Sequence, residues 1–99
     1  LPKVDGVAEA GAILGAAGIT GDCIWNSNTF IVSFQKKIRE AADRSIFALD
    51  HTKFGKRALH PTARFDGSFT VVTDREPDAA IRASLKEGRT PLLVAKEQA

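Results

Sequence analysis

Short apolar runs that stop abruptly constrain this chain more than any other feature. Ser45 to Leu49 is apolar and β-compatible, and it ends at Asp50. Ala10-Gly11-Ala12-Ile13-Leu14 ends at Gly15, Ser68-Phe69-Thr70-Val71-Val72 ends at the polar pair Thr73-Asp74, and Leu92-Leu93-Val94-Ala95 comes last. Runs this short are buried strands rather than helices, and they are continuous rather than alternating, the mark of strands covered on both sides. Between the first two, Phe30, Ile31, Phe34, Ile38, Ala41 and Ala42 recur at helical spacing, with Gln35, Lys36, Lys37, Arg39, Glu40 and Asp43 on the other face. Asn26, Ser27, Asn28 and Thr29 are suitable N-caps, so the pattern predicts a helix over 29–43 whose aromatic stripe is core. Between the last two runs, Pro77 suits a first turn, Ile81 and Leu85 supply a face and Gly88 a stop, predicting a helix over 77–87.

The order strand, helix, strand, loop, strand, helix, strand predicts an α/β fold. It would be a Rossmann-like, open, mainly parallel sheet flanked by helices on both faces. Residues 1–9 read as irregular or as the tail of a helix, 15–22 as a loop with three glycines, Trp25 to Thr29 as polar connection, and Phe54 to Leu59 as one helical turn stopped by Pro61.

In such sheets ligands sit outside the carboxyl ends of the strands. Asp50-His51-Thr52-Lys53-Phe54-Gly55 follows one of those ends, which would display Asp50, Thr52 and Lys53. The same residues also suit a plain capped loop, in which Asp50 and Thr52 bond local backbone N–H groups. From His51 to Arg64 there are four cations, Lys53, Lys56, Arg57 and Arg64, and no acid. That stretch is either a solvated basic loop or an anion site, most simply for phosphate. In the first glycine loop, Gly15 and Gly18 let a ligand approach the backbone. The spacing is not the dinucleotide fingerprint, which needs G-x-G-x-x-G opening into a helix.

Composition narrows the function classes. The 99 residues suit one domain, and a net charge of +2 does not argue for nucleic acid by itself. No apolar run approaches a membrane span. The single Cys23 and two separated histidines give neither an intrachain disulfide nor a zinc pattern, so no metal and no cofactor is expected, and a reducing cytoplasmic location is. Leu1 in place of Met, with no secretory leader pattern, predicts a piece of a longer protein.

Taken together, Gly15-Ala16-Ala17-Gly18-Ile19, the helix carrying Lys36-Lys37-Ile38 and Ala41-Ala42, the string Ala48-Leu49-Asp50-His51-Thr52-Lys53-Phe54-Gly55 and Val71-Val72-Thr73-Asp74 resemble the C-terminal effector-sensing domain of DeoR-family bacterial transcriptional regulators. The resemblance runs from about Ala10 to Ala95. It implies a fold like ribose-5-phosphate isomerase and coenzyme A transferase. It also implies a phosphorylated sugar or related metabolite as effector, a repressor of carbohydrate metabolism as the whole protein, and DNA contact only through an N-terminal domain absent here. The first part of the sensor would be absent too. Carried onto this chain, the family's ligand contacts fall at Gly15, Ala17, Gly18, Trp25, Asn26, Asp50, Thr52 and Lys53.

Two departures stand out. The family's glycine motif usually reads Gly-Ala-Asp-Gly, and here Ala17 replaces the acid. Its next segment usually reads Gly-Leu-Thr-Thr with a Glu following, where this chain has Asp22-Cys23-Ile24-Trp25-Asn26 and Ser33. These changes point to a different effector and away from isomerase chemistry, which needs a positioned carboxylate base. The expectation is therefore a regulatory domain rather than an enzyme. The competing readings are a sugar-phosphate isomerase using Asp50 or Asp22 as base, and an oligomerisation module without ligand. A partial sheet would also leave apolar surface bare, so a homo-oligomer is expected.

Overall fold

The computed structural model describes residues 11–95. Four short strands, β1 (Ala12–Leu14), β4 (Ser45–Leu49), β6 (Thr70–Thr73) and β7 (Leu92–Val94), form a wholly parallel sheet in the order β1-β4-β6-β7. Ile13 pairs with Ile46, Phe47 with Val71, and Val71 with Leu92. The expected parallel sheet is present, with every apolar run of the sequence in it. The expectation for residues 1–9 lies outside the described residues.

A second sheet was not foreseen. β2 (Gly18–Thr20), β3 (Cys23–Asn26) and β5 (His60–Arg64) pair antiparallel in the order β2-β3-β5. The glycine loop and the polar connection after it are thus mostly a hairpin, closed at Gly21-Asp22 with Gly21 at φ 62°. β5 contains Pro61, which argues against a strand unless that strand lies at an edge, where β5 does lie. The register against β3 also shifts between Ile24 and Trp25, a local irregularity. The helical turn expected over 54–59 falls earlier instead, as a 3₁₀ turn over His51–Lys53 capped by Asp50.

Helix α1 (Thr29–Ala41) is capped by Asn28, whose side-chain oxygen accepts from the N–H groups of Phe30 and Ile31 at 2.7 and 3.3 Å. Helix α2 (Ala79–Glu87) starts at Asp78, which accepts from the N–H of Ile81 at 2.9 Å, and ends at Gly88. A side chain at Gly88 would collide with the Phe65 carbonyl, so tight packing requires glycine there; the left-handed residue is the next one, Arg89, at φ 54°.

One core spans both sheets. Leu14, Phe47, Leu49 and Val71 from the parallel sheet meet Ile19, Ile24 and Ala63 from the antiparallel one, Ile81 and Leu85 from α2, and Ile38 from α1. Both described helices therefore share a single face of the parallel sheet. The strand order explains this. It advances in one direction only, and right-handed crossovers that advance in one direction all fall on the same side. Helices on both faces were expected. Among the described residues the second face carries none, and Ile13 and Leu93 on it are 75% and 61% exposed.

α1 departs further from its reading. Phe30 and Phe34 are 72% and 55% exposed and stack on each other, centroids 5.9 Å apart, while Gln35 is buried. The aromatic stripe is not core. The helix is turned so that a polar side chain, Gln35, faces inward for the reason given next.

Candidate functional site

Parallel strands place the residues that follow them at one end of the sheet. Gly15 follows β1, Asp50 to Lys53 follow β4, and Asp74 follows β6. Beneath this edge lies a buried polar network. The Asn26 amide donates to Gln35 Oε1 at 3.1 Å and to the Thr62 hydroxyl at 2.9 Å, and Gln35 Nε2 donates to the Gly15 carbonyl at 2.9 Å. Buried polar groups must find partners. This network ties β3, β5 and α1 to the end of β1, and it accounts for the inward turn of Gln35.

Asp50 Oδ1 accepts from the Thr52 N–H at 2.8 Å and from the Thr52 hydroxyl. Those two bonds, the hydroxyl's first, hold the Asp50 carboxyl below its ordinary value. The local capping role is therefore present in full. Lys53 is half-buried, and no hydrogen-bond or ion-pair partner for its ammonium occurs among the described residues. The string continues beside the hairpin: Phe54 bridges to Ile19, and the Gly55 N–H, with Gly55 at φ 75°, donates to the Ile19 carbonyl at 2.8 Å.

The other expected site residues fall on the hairpin and its approach. Gly15 is open, with no atom within 4 Å of where a Cβ would sit. Gly18 is closed: a Cβ there would meet the Lys56 carbonyl, so protein packing alone requires this glycine. The Ala17 N–H donates to the Trp25 carbonyl at 2.9 Å. The Trp25 indole N–H donates to the Thr20 carbonyl at 3.4 Å, and the Arg57 guanidinium lies 5.3 Å over its ring. Asn26 is committed to the buried network.

A pair that sequence reasoning did not single out links two strand ends. His51 Nδ1 and Asp74 Oδ2 are 2.7 Å apart, joining the loops after β4 and β6, and this contact holds the Asp74 carboxyl below its ordinary value. Both residues stood next to abrupt strand ends in the sequence, which was the available signal. Gln35 gave no such signal, since a glutamine in a charged helix face reads as solvent-exposed.

The carboxylates named as possible bases are occupied. Asp22 sits at the hairpin turn in an ion pair with Arg64 at 2.9 Å. Cys23 is buried, and burial first, then the neighbouring Asp22 charge, pushes its thiol up, opposite to what a nucleophile needs. No group of three or more metal-ligating side chains gathers among the described residues. A cleft of about 260 Å³ does occur, but at the other end of the sheet, lined by Lys36, Arg39, Glu40, Asp43, Ser45 and Ser68. Its walls mix both signs of charge, which favours neither an anion nor a cation.

A profile of the DeoR C terminal sensor domain matches residues 6–75. This chain belongs to that family. The match covers β1 through β6, so it includes the open Gly15, the Asp50 to Gly55 string and the His51–Asp74 pair of this DeoR sensor domain. Curated proteins show no match to it. No described helix of the sensor is long and apolar enough to cross a membrane.

Proposed function

We propose that this DeoR sensor domain binds a phosphorylated sugar or related metabolite at the carboxyl end of its parallel sheet. The whole protein would be a cytoplasmic repressor of carbohydrate metabolism, contacting DNA through an N-terminal domain outside this chain. Lys53 carries the reading. It is half-buried just past β4, it lacks a partner among the described residues, and it opens a stretch with four cations and no acid. A lysine so placed serves as a point charge for phosphate. The open approach at Gly15, and hydroxyl contacts from Asp50 and Thr52, would complete the site. Ala17, Gly18, Trp25 and Asn26 would shape it through the hairpin rather than by direct contact.

The isomerase reading is weaker on physical grounds. A general base works best with a pKa near the operating pH, and Asp50 is shifted the other way by its two bonds to Thr52.

Thermal unfolding in the presence of pentose and hexose phosphates tests the reading. A phosphorylated sugar at 100 times its Kd stabilises the fold by about 2.7 kcal/mol. Lys53→Ala loses much of that gain, since hydrogen bonds to charged groups contribute roughly 1.5–3 kcal/mol. Lys86→Ala, on the exposed side of α2, keeps it. If Lys53→Ala instead lowers the unliganded stability by more than the liganded difference, the lysine is a structural partner and the phosphate assignment fails. Isomerisation of any sugar phosphate that disappears on mutating Asp50 would return the domain to the enzymes.

A further inference from the structure

We infer that His51 is a further effector-binding residue: Asp74 holds its ring by Nδ1, and the ring presents Nε2 as a hydrogen-bond acceptor for a hydroxyl of the sugar. The inference rests on the phosphorylated-sugar site proposed above and adds a residue that reads the sugar rather than the phosphate.

The placement follows from the sheet. β4 and β6 pair in parallel with Leu49 opposite Thr73, so the residues after them leave from neighbouring strand ends, about 5 Å apart. Asp50 caps the 3₁₀ turn over His51–Lys53, and that turn carries His51 Nδ1 to 2.7 Å from Asp74 Oδ2. The Lys53 ammonium and the His51 ring both act on the Asp50 carboxyl, so the three side chains are neighbours.

The carboxylate decides where the ring carries its proton. The contact holds the Asp74 carboxyl below its ordinary value, and an ionised carboxylate only accepts. Nδ1 therefore bears the hydrogen, and in the neutral ring Nε2 has none. The other tautomer would lose the bond to Asp74. Nε2 is thus a fixed acceptor, and it makes no hydrogen bond among the described residues. The side chain is 39% exposed, so a ligand can reach it.

The groups beside it are already engaged. Asp50 Oδ1 accepts from both the N–H and the hydroxyl of Thr52, which leaves Nε2 as a free acceptor aimed by a second strand end. Structure alone does not call for the pair, because ion pairs this exposed contribute little to stability. A sugar phosphate needs a cation for its phosphate and acceptors for its hydroxyls. Lys53 supplies the first and has no acceptor to supply the second.

The test separates sugar from phosphate. Calorimetric titration of the 99-residue chain uses two probes. One is methyl phosphate, which has the charged group and no sugar hydroxyl. The other is the tightest binder in a panel of pentose and hexose monophosphates. His51→Phe keeps a ring and removes the acceptor. It weakens the sugar phosphate by roughly three- to tenfold, the effect of one neutral hydrogen bond, and leaves methyl phosphate unchanged. Asp74→Leu, which frees the ring, does the same. Lys53→Ala weakens both probes by about tenfold or more. Far-UV circular dichroism confirms that each variant folds.

Nitrogen NMR of the unaltered chain gives a second readout that needs no His51 variant. The chain has two histidines, and His60→Gln assigns the signals. The His51 ring carries its proton on Nδ1, and its Nε2 signal moves with the sugar phosphate and not with methyl phosphate. A ring protonated on Nε2 instead, or a sugar phosphate bound equally well by His51→Phe, overturns this inference; if Lys53→Ala still weakens both probes, the phosphate site stands without it. Equal weakening of both probes in His51→Phe also overturns it. If no monophosphate binds, or Lys53→Ala weakens neither probe, the phosphate reading fails and this inference falls with it.

Discussion

In the parallel sheet the inward positions of β4 and β6 are mostly apolar, Phe47, Leu49 and Val71 with the buried hydroxyls of Ser45 and Thr73 at the strand ends, and the Phe47 ring lies edge-on to Phe69 at 5.1 Å with Phe69 in turn against Phe65. In the antiparallel sheet only Ile19, Ile24 and Ala63 reach that core. The rest of its attachment is hydrogen-bonded: the Asn26, Gln35 and Thr62 network, which reaches the Gly15 carbonyl, and the Ile19 carbonyl accepting from the Gly55 N–H of the string after β4. The difference teaches that one hydrophobic core can be shared by two sheets whose positions are fixed by different forces. Apolar burial is strong and undirected. Buried hydrogen bonds are weaker in net energy but fix direction.

The comparison breaks most visibly at Phe47. Phe47→Ala destabilises by about 3–5 kcal/mol. The sole tryptophan, Trp25, lies in the antiparallel sheet, so its fluorescence reports that sheet while far-UV circular dichroism reports the helices. Because the core is common, both signals shift together in Phe47→Ala. A tryptophan transition that stays put would make the two sheets separate cooperative units.

Next in size is the polar network. Asn26→Ala leaves Gln35 and Thr62 without their donor and destabilises by about 1–3 kcal/mol. Paired with Gln35→Ala in a double-mutant cycle, it shows a coupling of roughly 0.5–3 kcal/mol. Strict additivity in chemical denaturation would mean that the network positions nothing.

The smallest effect belongs to the turn that joins the two sheets. Asp66 accepts from the Ser68 N–H and hydroxyl, and that hydroxyl in turn accepts from Arg39. The Ser68 hydroxyl chiefly holds the Asp66 carboxyl below its ordinary value. A carboxyl lowered in the folded state contributes its full stability above the unfolded pKa, about 3.9. The contribution is lost as the pH falls through the folded value. Asp66→Asn therefore gives a shallower loss of stability below about pH 4, read from urea midpoints; an unchanged acid limb would remove the turn from the account.

The parallel sheet was legible because apolar runs this short, bounded by glycine and polar residues, suit strands; their continuity reads as cover on both faces, yet the outward Ile13 and Leu93 are exposed. Ser45 to Leu49 appears in the structure as read. The antiparallel sheet was illegible for equally physical reasons. β2 is a three-residue strand inside a glycine loop, and β5 carries a proline that only an edge position tolerates. On α1 the apolar spacing was real, but it marks an outer face. A helix pattern shows which residues share a side and not which side is covered. Of the site, the placement of Asp50 to Lys53 past a strand end was readable from spacing. The His51–Asp74 contact was not singled out: the expected parallel pairing puts both residues at neighbouring strand ends, but that their side chains meet depends on the 3₁₀ turn over His51–Lys53, which the spacing placed later.

The strand order has a consequence for how the chain assembles. Every pairing in the parallel sheet needs a crossover: Ile13 must find Ile46, and Phe47 must find Val71, across intervening elements. The β2–β3 hairpin needs only Thr20 to meet Cys23 around Gly21-Asp22. The entropy of loop closure rises with the length of chain closed, and a hairpin forms in about 1–10 µs. Among the described strands the hairpin's partners thus meet at the lowest cost, while the long-range sheet sets the folding rate. Order spreads from the segment that was hardest to read toward the segments that were easiest.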